Sequence, residues 1–187
     1  LFDNKKIILK SKATKIVINW MIYGNKMLIL NSGGTFNKRY NKVNGLLAVP
    51  YDNYAIEKIL ESVNFKYALA GVVYKDSLDM DANDRKMLAN IIMESKDDTF
   101  IIVHGTDTMD LSAEFLSEIF DDRKIILTGA MKPFEIDTIE ATLNLGMAIG
   151  FSKSLQENGV YICMNGFVKP WNKIVKNKNI GKFEVVE

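Results

Sequence analysis

Along this chain, unbroken apolar runs alternate with stretches whose apolar residues recur every three or four positions. The runs are Met27 to Asn31 ("MLILN"), residues 67–74 ("YALAGVVY"), 99–103 ("TFIIV"), 124–129 ("KIILTG") and 159–165 ("GVYICMN"). Their length, and their lack of polar alternation, predict strands buried on both faces. Between them, Asp52 caps a predicted helix carrying Ala55, Ile56, Ile59, Leu60 and Val63 at helical spacing. Asp81 opens a second, with Met87, Leu88, Ile91 and Ile92 inward. Residues 108–120 form a third, with Asp107 or Thr108 at its cap and Leu111, Phe115, Leu116 and Ile119 on one face. Residues 135–151 form a fourth. The pattern predicts a three-layer α/β fold: a mostly parallel sheet with helices on both faces. The most loop-like stretch is "NKRYNKVNGL", and the tail from Phe167 to Glu187 is basic and less regular.

Residues 27–187 read as a single domain, with no internal repeat or low-complexity linker. Residues 1–26 begin without Met and contain no apolar run long enough to span a bilayer. No small-residue cleavage site follows a clean apolar core there. They are expected to be an upstream extension, outside the native domain, or else an ordinary extra strand or helix.

The polar clusters fall at strand ends. Thr35 follows the first run, Asp76 and Ser77 the second, Thr106 and Asp107 the third. In an open parallel sheet those ends share one edge, where ligands bind, and helix N-termini there offer free N–H groups. Composition narrows the chemistry. With 24 basic and 23 acidic residues the net charge is +1, which argues against a broad field for nucleic acid. One cysteine, Cys163, excludes an internal disulfide, and with one histidine, His104, a Cys/His zinc site is not expected. Cys163 sits in an apolar run and reads as a core filler. His104 reads as a backbone-bonded turn residue rather than a general base.

"ILNSGGTFNKRY", "KDSLDM", "VHGTDTMDLSAEFL" and "KIILTGAMKP" occur in the order and spacing that resemble bacterial L-asparaginases, over about residues 27–151. Ser32 stands where that family usually has Thr. "GVYICMNG" followed by a basic segment ending in "GKFE" is similar to short-chain asparaginases, which lack the C-terminal domain of the longer enzymes. The resemblance implies a cofactor-free, metal-free amidohydrolase converting L-asparagine and water to L-aspartate and ammonia through a threonine acyl-enzyme. It implies Thr35 as the nucleophile, in a turn that Gly33 and Gly34 make possible. Tyr40 matches the base on a mobile loop, with Lys38 or Arg39 favouring a phenolate-like state. Thr106 matches the second threonine, and Asp107 the aspartate that holds the substrate's α-ammonium. A helix cap is the bland alternative for both, and the two roles are compatible. Ser77 matches the α-carboxylate ligand, with Asp76 orienting it, and Leu78 stands where longer enzymes carry Ser or Gln. Gly34 and Gly105 complete the expected substrate-binding turns, whose free amides would stabilise the oxyanion by ~3 kcal/mol per donor. Asn144 and Asp137, near the fourth helix, are expected to support the pocket without an assigned role.

The lysine that pairs with the Thr-Asp element is the weak point. Counting back from Gly129, the family position holds Arg123, which stays protonated and is no substitute. Lys124 should point to the other face. Lys176 in "IVKNKN" is the first candidate, then Lys124. The resemblance also implies a homodimer or dimer of dimers, and the absence of a signal peptide and of disulfides favours the cytoplasm, with no membrane or nucleic-acid partner. Three rivals stand beside this: a glutaminase or mixed-specificity amidase, since one methylene changes discrimination by only ~1–3 kcal/mol; a non-catalytic amino-acid sensor, which Arg123 makes credible; and a nucleotide-binding module, although the glycine turn is not G-x-G-x-x-G and no Walker lysine follows.

Overall fold

The structure, a computed structural model, describes residues 27–65 and 67–187 with their side chains, and the backbone of residues 5–10 and 15–20. The expected boundary at residues 26–27 adjoins residues 21–26, which lie outside the described residues. In chain order the first elements are β1 (Lys5–Lys10), β2 (Lys15–Trp20), β3 (Met27–Gly33), β4 (Arg39–Asn41), β5 (Leu46–Ala48) and α1 (Tyr54–Leu60). Next come β6 (Ala68–Lys75), α2 (Ala82–Glu94), β7 (Thr99–Val103), α3 (Met109–Ser117), β8 (Lys124–Thr128) and α4 (Thr138–Ser154). The last are β9 (Gly159–Met164), β10 (Phe167–Pro170), β11 (Ile174–Asn177) and β12 (Lys182–Val185).

The main sheet has the order β1-β2-β6-β3-β7-β8-β9-β10. From β6 to β9 the pairs are parallel, and β1, β2 and β10 add antiparallel edges. Register explains why the apolar runs lack alternation. Leu69, Ile29, Ile101, Ile126 and Tyr161 form one row across five strands, facing α1 and α4. Their chain neighbours Ala70, Leu30, Ile102, Leu127 and Ile162 form the next row, facing α2 and α3. Each face has its own core, so both residue parities must be apolar, and the expected three-layer fold is what forms. Among the described residues no helix is long and apolar enough to cross a membrane.

Three expectations are corrected. In α3 the inward residues are Met109, Ser112, Ala113 and Leu116, whereas Leu111 and Ile119 are exposed. Small Ala113 and Ser112 set this face, and a pattern of large apolar residues cannot see them. Asn53, not Asp52, is the N-cap residue of α1; the Asp52 carboxylate accepts the Tyr54 N–H and pairs with Arg39. The tail is regular: β10 continues the sheet, and β11 and β12 form a separate two-stranded hairpin. Its short strands of charged and single apolar residues give little periodicity to read. By contrast Asp81 caps α2 as expected, accepting from the Asn83 and Asp84 amides while Asp84 accepts from Asp81.

The chain leaves β3 for β6 on one side, then crosses to β7 on the other. The turns after β3 and β7 therefore diverge from adjacent strands, which makes their carboxyl ends the switch point of the sheet. This is the edge to which the polar clusters were assigned.

Candidate active site

Three strand-end turns lock together through glycines. A Cβ on Gly34 would lie 2.4 Å from the Gly105 Cα, one on Gly105 2.6 Å from the Ser77 side chain, and one on Gly33 2.4 Å from the Lys75 carbonyl oxygen. The backbones of residues 33–34, 75–77 and 104–105 can approach this closely only because those positions lack side chains. Gly34 also has φ 75°, a left-handed value that only glycine adopts without strain, and its N–H donates to the Lys75 carbonyl at 2.8 Å. The result is that Thr35, Ser77 and Thr106 each stand next to a residue in this shared contact.

At the far side of the β7 turn, the Lys176 Nζ donates to the Thr106 Oγ1 at 2.9 Å and to the Asp107 carboxylate at 2.7 Å. Lys176 comes from β11, 69 and 70 residues away along the chain. The other two candidates point elsewhere. The Lys124 amine donates to the Leu155 carbonyl, and the Arg123 guanidinium to the Asp97 carbonyl. Thr106 is buried, Asp107 half-buried, and the Lys176 side chain only 13% exposed, so little water screens this trio. The Asp107 N–H donates to the Ser77 hydroxyl oxygen at 3.2 Å, which leaves the Ser77 proton available to another acceptor. Thr108 heads α3, but its hydroxyl donates to the Ser77 carbonyl rather than capping the helix.

The first turn rests on an asparagine network. Asn31, fully buried in β3, donates to Asn53 and to the Asp52 carbonyl, and its carbonyl oxygen accepts from the Gly33 N–H and from Asn37 at 2.9 Å each. Asn37 also donates to the Gly33 carbonyl. These bonds fix the backbone that carries Thr35. The Thr35 side chain is half-buried, and its hydroxyl makes no hydrogen bond among the described residues. Lys38 bridges to Asp76 at 2.5 Å, joining the first turn to the second. Burial opposes the Asp76 charge, but the bonds from Lys38 and the Leu78 amide outweigh it and hold the carboxyl below its usual range.

Some expected roles find different geometry. Tyr40 is 61% exposed on the β4–β5 hairpin, and its ring hydroxyl makes no hydrogen bond among the described residues. Lys38 and Arg39 are engaged by Asp76 and Asp52, so neither acts on Tyr40. The amides of Gly33, Gly34 and Asp107 are already bonded within the protein. Among the described residues, those of Thr35, Gly105 and Thr106 donate no hydrogen bond. A cavity of about 260 Å³ beside the first turn is lined by Phe36, Asn37, Tyr54, Phe134 and Glu135, among others, but not by Thr35 or Thr106.

His104 is a structural residue here. Burial pushes its pKa down to about 4, against the opposing Gly105 bond, so the ring is neutral. Because a carbonyl only accepts, Nδ1–H donates to the Gly105 oxygen at 2.7 Å, and Nε2 accepts from the Ser112 hydroxyl at 2.8 Å. Arg85 donates to the same Ser112 oxygen. Cys163 is likewise inert, its thiol pushed up to about 12 by burial. The residues that periodicity missed are Asn31, Asn37 and Asn53. Asn31 falls within the first apolar run and the other two lie in turns, so no pattern marks them.

Comparison with known proteins identifies the family. Residues 26–183 match the family model described as "Asparaginase, N-terminal". The chain is 25% identical over 170 residues to a glutaminase-asparaginase of Acinetobacter glutaminasificans, covering 83% of this chain and 51% of that protein. It is 30% identical over 149 residues to L-asparaginase 2 of Escherichia coli strain K12, covering 77% of this chain and 42% of that protein. Among solved structures, the thermostable L-asparaginase from Thermococcus kodakarensis superposes with a TM-score of 0.75 at 22% identity, over 86% of this chain and 51% of that one. The chain thus spans about half the length of the relatives it matches.

Proposed function

The chain belongs to the asparaginase family of amidohydrolases, and from that premise we propose that it hydrolyses the side-chain amide of L-asparagine to L-aspartate and ammonia. The observation that carries this reading is the lysine amine held on Thr106 and Asp107, beside the glycine contact that brings the Thr35 turn alongside. In the proposed cycle the Thr35 oxygen attacks the carboxamide carbon, and the Thr35 proton passes to a base. Collapse of the tetrahedral intermediate breaks the C–N bond as the nitrogen takes a proton and leaves as ammonia. Water then attacks the ester, releasing aspartate and restoring the Thr35 hydroxyl.

Each neighbour has a role that follows from its bonds. The Lys176 amine donates to the Thr106 oxygen, so the Thr106 proton is free to reach the leaving nitrogen or to hold the incoming water. The outer Asp107 carboxylate oxygen is available to the substrate's α-ammonium, and the Ser77 proton to its α-carboxylate. The amides of Thr35, Gly105 and Thr106 serve the oxyanion. Tyr40 serves as the base for Thr35 once the β4–β5 hairpin closes over the turn, a movement tethered by the Tyr40 N–H bond to Glu135 at 2.7 Å. A homodimer or dimer of dimers, and residence in the cytoplasm, belong to the same proposal and are read by light scattering and cell fractionation.

A second reading, mixed asparagine and glutamine specificity, is favoured by the glutaminase-asparaginase among the relatives. The sensor reading drew on Arg123, and Lys176 now supplies an amine at the Thr-Asp pair. Ammonia release from asparagine and glutamine, measured for the wild type and for Thr35→Ala and Thr106→Ala, decides among these. Hydrolysis of asparagine lost in both variants supports the proposal. Binding of aspartate with no ammonia from either amide overturns it.

A further inference from the structure

The catalytic reading depends on Lys176, yet among the described residues no strand of the main sheet pairs with the strand that carries it. Strands β11 and β12 form their own two-stranded sheet. Ile174 and Phe183 anchor it by burial in the core beside α3, each 3% exposed. Apolar burial is non-directional and does not by itself fix where the Lys176 amine ends. Directional bonds do, and among the described residues the one that joins this hairpin to the main sheet, apart from those of Lys176 itself, ends on a single side chain.

We propose that Asn165, in the turn between β9 and β10, is the positioning residue that sets the Lys176 amine against Thr106. Phe183 stands directly opposite Lys176 in the β11–β12 ladder, and the Phe183 N–H donates to the Asn165 Oδ1 at 3.0 Å. The Asn165 Nδ2 donates to Glu140 at 3.4 Å, and its backbone N–H donates to the Asn144 Oδ1 at 3.2 Å. Asn144 in turn donates to the Gly129 carbonyl at 2.9 Å. Gly129 closes the circuit, because a Cβ there would lie 3.5 Å from the Thr106 methyl and 2.4 Å from the His104 carbonyl oxygen. The chain of contacts from Thr106 through Gly129, Asn144, Asn165 and Phe183 thus returns to Lys176, whose amine is on Thr106.

The turn alone does not explain asparagine at this place. Asn165 and Gly166 have φ 50° and 89°, the two positive values of a type I′ hairpin turn. Glycine or aspartate would satisfy that geometry equally. Only asparagine among them offers both an acceptor to Phe183 and a donor to Glu140.

The inference rests on the hydrolytic reading, so the test carries a readout that does not need turnover. In the full chain, Asn165→Gly keeps the turn and removes both side-chain bonds. The paired change Asn165→Asp with Glu140→Gln restores them, with the second one reversed in direction. The expected results are a kcat at least about tenfold lower for Asn165→Gly with KM within about threefold, and a kcat within about threefold of wild type for the pair, since displacement of about 1 Å is enough for such losses. The ¹³C-methyl signal of reductively methylated Lys176, assigned with Lys176→Arg, should move toward the exposed lysines in Asn165→Gly and return in the pair. Wild-type kcat and an unmoved Lys176 signal in Asn165→Gly would overturn the proposal, as would a pair as impaired as Asn165→Gly. A wild type that releases no ammonia defeats the hydrolytic reading, and the Lys176 signal then decides the positioning role alone.

Discussion

Replacing Gly34 with alanine tests the packing on which the site depends. The added Cβ would sit 2.4 Å from both the Cα and the N of Gly105, and 3.0 Å from the His104 carbonyl carbon. All three are backbone atoms, so no side chain can rotate away. The residue must also keep φ 75° and ψ −177°, a region that costs a non-glycine residue about 1–3 kcal/mol. Overpacking adds about 1–3 kcal/mol. The sum is a loss of roughly 2–6 kcal/mol, or a Tm lower by about 4–24 °C for a chain of this size. Relief of the clash would push the Thr35 and Thr106 turns apart, so amide hydrolysis should fall further than stability explains. Gly146→Ala supplies the control of opposite sign. It lies within α4, and nothing stands within 4 Å of its Cβ position, so alanine should stabilise by about 0.5–1 kcal/mol. Urea denaturation of both variants, with ammonia release measured in the absence of urea, reads the two effects. A Gly34→Ala protein as stable and active as wild type would refute the reasoning, since the turns would then not be in contact.

Other substitutions probe the remaining links. Lys176→Met should preserve the fold and lower kcat by about 10²–10⁴-fold, the range for losing a proton-transfer partner, as steady-state kinetics will show. His104 has its pKa lowered from 6.5 to about 4 in the folded chain, so its contribution to stability is complete above pH 6.5 and is lost as the pH falls toward 4. The loss is about 3 kcal/mol. Denaturation of wild type and His104→Gln across that range should show the variant with the shallower dependence, carboxylates contributing equally to both. Asp81→Ala removes the acceptor of two amides at the start of α2, and calorimetry should find about 1 kcal/mol lost with turnover retained.

The layers of the fold were legible because both parities of β3, β7 and β8 are apolar, which only a sheet covered on two faces requires. The rim was legible because Thr35, Ser77 and Thr106 follow successive apolar runs. Lys176 entered from the resemblance; no periodicity points to a lysine 70 residues from Thr106, and the hairpin that delivers it is too short to show a pattern. The inward face of α3 was misread because Ala113 and Ser112 bury as fully as large residues yet carry no hydrophobic signal. The asparagines were invisible for a related reason. Asn31 is buried within an apolar strand only because Asn37, Asn53 and the turn backbone satisfy its amide, and that mutual satisfaction exists in three dimensions alone. Tyr40 shows the converse: its place in the sequence suggests chemistry, while its ring is exposed and its hydroxyl has no partner among the described residues.

The most direct test is to catch the covalent intermediate. Rapid acid quench of the enzyme turning over asparagine, followed by peptide mapping in a mass spectrometer, should find an aspartyl ester on the peptide containing Thr35, absent in Thr35→Ala and accumulating in Thr106→Ala. An ester on any other segment, or brisk ammonia release from Thr35→Ala, would contradict the account.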